Sequence, residues 1–193
     1  MWPFALCANA WIRRRLPVLG ISGYSPVFFE DIEAFRATHE GDLKSLIGQR
    51  IQTTWAMWSR VDDEWFSDGP VILMVNNRQL ELAAFQFGFA ITNDAIDRGK
   101  PIRWYLGEEE ADDGFGLHWR ENAPHFLESS AGKTITAIEL FETRVTREDT
   151  EWWNFYGVGF RLKQGYLAVY NNLDELGLSD EPPEDQNIRA TPL

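Results

Sequence analysis

Along this chain the clearest signal is alternation of apolar with polar or small residues. Ile51, Thr53, Trp55 and Met57 alternate through residues 49–58, the mark of a strand with one buried face. Residues 70–75 form an apolar run, Asn76-Asn77-Arg78 supplies turn chemistry, and residues 80–87 return as a partner strand. A second set runs through residues 134–145, 155–163 and 166–171, with Gln164-Gly165 at a hairpin turn. In its first strand Ile135, Ala137, Glu139 and Phe141 oppose Ile138 and Leu140, so a strand covered on both faces is expected.

Helical spacing appears once, in residues 27–39, where Phe28, Ile32 and Phe35 are four and three apart. Ser25-Pro26 reads as the start and Gly41 as the end, with Asp42 capping a further short turn. Residues 91–99 read as irregular, and 101–106 and 115–120 as short strands, the latter with Leu117 and Trp119 on one side and His118 on the other.

The two sets share an order of punctuation. Gly48-Gln49-Arg50-Ile51 leads through Glu64-Trp65 to Gly69, and Gly132-Lys133-Thr134-Ile135 leads through Glu151-Trp152 to Gly157. The expected fold is therefore mainly β (α+β): two antiparallel β-meander repeats packed as a sandwich or partly open barrel, with one N-terminal helix. The boundaries follow as an arm over 1–24, expected to be poorly ordered, and one domain over 25–180 with halves at about 27–106 and 115–180. An acidic, proline-containing tail is expected over 181–193.

Charge narrows the partners. The net charge is −12, with one acidic block at Glu108, Glu109, Glu110, Asp112 and Asp113 and another from Asp174 to Asp185; only Arg13, Arg14 and Arg15 make a basic cluster. That balance disfavours nucleic acid and anionic membrane and favours a basic protein partner. Cys7 is the sole cysteine, so no intrachain disulfide and no cysteine-based zinc site is expected. The apolar opening precedes its arginines, an order inverted for export, and a cytoplasmic location is expected.

Chemical motifs fail on inspection. Ala131-Gly132-Lys133-Thr134 lacks the glycine of a phosphate-binding loop at Leu127 and leads into a strand. Gly114-Phe115-Gly116 and Gly157-Val158-Gly159 lack a third glycine. His39, His118 and His125 show no metal spacing, and neither a cofactor nor a metal is expected. Glu64 and Glu151 are weak catalytic candidates, because each precedes a tryptophan at matching places.

These residues favour a non-enzymatic, immunity- or inhibitor-like protein-binding module. Its expected face comprises Trp65, Glu108, Glu109, Glu110, Asp112, Asp113, Trp119 and Trp152. The alternative is a small-molecule or carbohydrate-binding β domain with a pocket between the halves, lined by some of Trp55, Trp65, Trp119 and Trp152. A hydrolase using Glu64 or Glu151 ranks third.

Overall fold

The computed structural model describes residues 20–102, 116–173 and 175–193; the acidic block at 108–113, most of the arm and most of the strand expected over 101–106 lie outside them. Two antiparallel sheets face each other. The first contains β1 (Ile51–Ser59), β2 (Glu64–Trp65), β3 (Val71–Val75), β4 (Arg78–Phe85), β5 (Gly88–Asn93) and β6 (His118–Glu121). In the second, β7 (Ile135–Arg147), β8 (Thr150–Leu162), β9 (Gly165–Asn172), β10 (Glu175–Ser179) and β11 (Ile188–Pro192) lie in the order β10-β9-β8-β7-β11.

The expected sandwich of antiparallel sheets is what forms, and its filling is apolar. Leu73, Val75, Leu80 and Leu82 from the first sheet meet Ile138, Leu140, Val158, Phe160, Leu167 and Val169 from the second in one buried cluster. At period two these residues occupy one face of each strand, which leaves Gln79, Glu81 and Ala83 on the outer face of the first sheet.

The sheets also agree in register. Trp58 pairs with His118 on one edge and Trp65 on the other, so β2 and β3 share one edge of β1 and together occupy the place that β8 takes beside β7. Thr54 faces Leu73 as Ile138 faces Phe160, and Ala56 faces Val71 as Leu140 faces Val158. Both β1 and β7 shift register at their second residue, between Ile51 and Thr53 and between Ile135 and Ala137. The following hairpins close with two-residue turns at matching places: Val75 to Arg78 and Leu162 to Gly165, then Phe85 to Gly88 and Asn172 to Glu175. Finally β6 returns to the free edge of β1 as β11 returns to that of β7.

This register alters one pairing read from the sequence. Trp65 faces Trp58, whereas Phe155 faces Glu142, the residue in β7 that corresponds to Trp58. The spatial counterpart of Glu64-Trp65 is therefore Asn154-Phe155, and Glu151-Trp152 lies three residues earlier in the longer β7–β8 hairpin.

Other departures have local causes. Helix α1 spans Ile32–Ser45, later than the expected 27–39, because Asp31 caps it by accepting from the Ala34 amide at 2.8 Å. Gly41 does not end it: buried Phe35, Leu43 and Leu46 continue one apolar stripe, which outweighs the cost of about 1 kcal/mol for a helical glycine. A second helix, α2 (His125–Ser130), and strands β5 and β10 were not expected. The turns leading into these strands, at Gln86-Phe87 and after Asn172, lack strong turn signals. The run from Glu181 to Asn187 is largely exposed, but the segment expected as a tail ends in β11, paired with β7 from Thr143 to Glu139. Each helix docks on the first strand of the other half, α1 on β7 and α2 on β1, and Phe35 packs on Phe155 with ring centroids 4.1 Å apart. Among the described residues, no helix is long and apolar enough to cross a membrane.

Candidate functional site

The outer face of the first sheet is where the halves diverge. Twenty-four residues, 94–117, connect β5 to β6, whereas eight, 180–187, connect β10 to β11. A long connection between strands is a common location for function.

Two side chains of β4 fix the first part of that connection. Gln79 Nε2 donates to the Ile96 carbonyl at 2.8 Å, and its backbone amide donates to Asp94 Oδ1 at 2.8 Å. Glu81, fully buried, accepts from the Thr92 hydroxyl at 2.6 Å and from the Ala95 amide at 2.9 Å. Burial pushes the Glu81 carboxyl above the usual carboxylate range, while the bonds from Thr92, Ala95 and Ile96 oppose that shift. A buried acid inside an apolar strand was the signal in the sequence; its role was not read there.

The clamp places Arg98. Its Nε donates to Gln79 Oε1 at 2.8 Å, and its guanidinium lies 3.6 Å from the centre of the Trp55 ring. Arg98 therefore sits preorganised at the margin of a cavity of about 630 Å³, lined also by Arg60, Lys100, His118 and Trp119. Among the described residues, no carboxylate lines this cavity. Lys100 makes an exposed pair with Asp97 at 3.7 Å; Arg60 and Arg98 have no ion pair among the described residues. His118 Nδ1 and Trp119 Nε1 are buried without a hydrogen-bond partner among them. Such a chamber can hold an anion by the charge of Arg60, Arg98 and Lys100.

The second half treats its cations differently. Arg189, opposite Glu142 as His118 is opposite Trp58, donates to that carboxylate at 2.6 Å and lies over Trp153 at 4.4 Å. Arg144 holds Asn187 Oδ1 at 2.7 Å, and Arg161 pairs with Glu139 at 2.8 Å. These arginines are occupied from within.

The residues singled out in the sequence scatter. Trp119 lines the cavity and Trp55 carries Arg98 beside it. Trp65 instead packs against the inter-sheet core, and Trp152 is exposed on β8. The space between the halves is filled by packed side chains, so the cavity lies outside the first sheet and not between the sheets. Glu64 sits opposite Ser59 at the edge of the first sheet, while Glu151 sits opposite Thr146 in the second; neither lines this cavity. Asp63, near Glu64, accepts from Trp58 Nε1 at 3.0 Å and pairs with Arg120 at 3.1 Å, which holds its carboxyl below the usual range. Glu108, Glu109, Glu110, Asp112 and Asp113 lie outside the described residues. His39 packs on Phe29 and Phe35, and burial lowers its pKa; no cluster of three or more potential metal ligands occurs among the described residues. No protein-family model, no curated protein and no solved structure matches the chain.

Proposed function

We propose that the protein is a binding module whose cavity takes a small anionic molecule, bearing phosphate or carboxylate groups, without chemical conversion. The supporting observation is the contrast between Arg60 and Arg98, which lack carboxylate partners among the described residues, and Arg161 and Arg189, which are neutralised in the second sheet. An internal duplication, in which the second half kept Arg161 and Arg189 paired while Arg60 and Arg98 of the first came to line a cavity beside a longer connection, accounts for that contrast. On this reading the protein acts in the cytoplasm and needs no cofactor.

The test is titration of the intact protein with inorganic phosphate, pyrophosphate and citrate, followed by tryptophan fluorescence and thermal shift. Saturable binding that weakens at least about tenfold when Arg60 and Arg98 are both changed to alanine supports the reading. It fails if no anion perturbs either signal, or if the double variant binds as well as the native chain.

A second reading, an immunity- or inhibitor-like module that docks a basic protein, is supported by the net charge of −12 and the acids from Glu108 to Asp113. Neutralising those five acids should slow association with such a partner.

A further inference from the structure

The tips of the β4–β5 and β9–β10 hairpins carry a surface that the cavity does not use. Phe87, at the β4–β5 turn, is 60% exposed; Leu173, at the β9–β10 turn, is 80% exposed; Trp152 on β8 is 40% exposed. Hydrogen bonds join the segments that carry them. Asn171 Nδ2 donates to the carbonyls of Gln86 and Gly88 at 2.8 and 3.0 Å, which sets the two tips side by side. Asn154 Nδ2 donates to the Phe87 carbonyl at 2.8 Å, and Trp152, two residues earlier in the same strand, shares its face.

The rim of this patch is acidic. Phe29 and Phe89 pair by two backbone bonds, which brings Glu30 and Asp31 beside the β4–β5 turn, and the Glu30 carbonyl accepts from the Phe155 amide at 2.7 Å. Glu175 follows Leu173 closely in sequence, Glu151 adjoins Trp152, and residues 147–151 hold three acids against the single cation Arg147. Glu30, Glu151 and Glu175 are exposed, and none enters an ion pair among the described residues.

We infer that this patch is a docking surface for a protein that presents an apolar anchor ringed by lysine or arginine. Three large apolar groups concentrated at adjoining tips supply the contact area that isolated exposed side chains lack. Charge selects the partner: a second copy of the chain would bring one acidic rim against another, whereas a basic rim is attracted. This surface is separate from the cavity, so either proposal can fail alone.

The test uses a labelled amphipathic helical peptide of leucine and lysine, followed by fluorescence anisotropy at low and high salt. The native chain should bind it in a salt-dependent manner. The combined variant Phe87→Ser, Trp152→Ser, Leu173→Ser should bind at least about tenfold more weakly, whereas Val61→Ser, exposed elsewhere, should not change affinity. Glu30→Gln with Glu151→Gln should mainly slow association. Equal binding by the triple variant overturns the inference. So does sedimentation showing that the native chain dimerises and the triple variant does not, which would make the occupant a second copy.

Discussion

Gly48 and Gly132 each donate their amide to the first strand of the opposite half, Gly48 to the Ile135 carbonyl at 2.8 Å and Gly132 to the Ile51 carbonyl at 2.7 Å. The neighbouring bonds repeat the exchange: Ile51 donates to Lys133 at 2.9 Å and Ile135 to Gln49 at 2.8 Å. A local two-fold relation runs through the Arg50–Thr134 bridge, and both glycines hold left-handed backbone, with φ of +85° and +80°. Alanine at either position should cost about 1–2 kcal/mol, because an L side chain is strained there. The two costs should be similar in urea unfolding. Costs that differ more than about threefold would contradict the equivalence, since Gly48 has open space around it and Gly132 faces only the end of the Arg50 side chain.

Gly159 has a different task. A Cβ there would run into Tyr166 Oη and the Phe141 ring, both of which lie over the strand on the outer face of the second sheet. Gly159→Ala should cost about 1–3 kcal/mol by overpacking. It should also disturb the bond of 2.7 Å that Tyr166 donates to Glu139. A denaturation midpoint unchanged from the native protein would show that Tyr166 can move aside freely.

Alternation makes most of the strands legible in the sequence, because a half-buried strand must place apolar groups at every second residue. Residues 51–58 and 135–145 are the plainest cases. The same rule could not find β5 and β10, since the turns before them carry no Asn-Gly or Asp-Gly pair and the sequence around Glu175 looks solvated. The repeated Gly-x-x-Ile was visible, but its meaning as a mutual handclasp depends on hydrogen bonds between residues 87 and 81 apart, from Gly48 to Ile135 and from Gly132 to Ile51. Around the cavity, sequence patterning pointed to Trp55 and Trp119 alone. Arg98 and Arg60 have no sequence signature; Arg98 is placed by Gln79, Glu81 and Trp55, which topology brings beneath the connection, and Arg60 lies beside Gly116 where the connection re-enters the sheet.

Glu81 should give stability a distinctive dependence on pH. Its folded-state pKa is raised, so its contribution is fully present below the unfolded value, about 4.3, and is lost as pH rises through the higher folded value. Glu81→Gln keeps an oxygen for the Ala95 amide and removes the buried charge. Calorimetry should therefore show the variant gaining relative to the native chain on passing from acid to neutral pH. A relative loss over that interval would mean that the charged form is favoured by the fold, and would reverse the assignment.

Arg189 and Glu142 fasten β11 to β7 at their register pair, and only one of the two is buried: the Glu142 side chain is 5% exposed and that of Arg189 48%. Removing the arginine strands a buried carboxylate, which is more damaging than the pair itself is stabilising. Because half of Arg189 faces water, the expected cost of Arg189→Ala is about 1–2 kcal/mol, below the range for a fully enclosed pair. Arg189→Lys retains charge but loses the flat contact with Trp153, and should fall between the native chain and the alanine variant. Adding Glu142→Gln to Arg189→Ala should recover part of the loss, since the stranded charge is gone. A double-mutant cycle in urea should then give a coupling of about 1 kcal/mol. Strict additivity would show that the two side chains meet without energetic consequence, and that β11 is held by its backbone ladder alone.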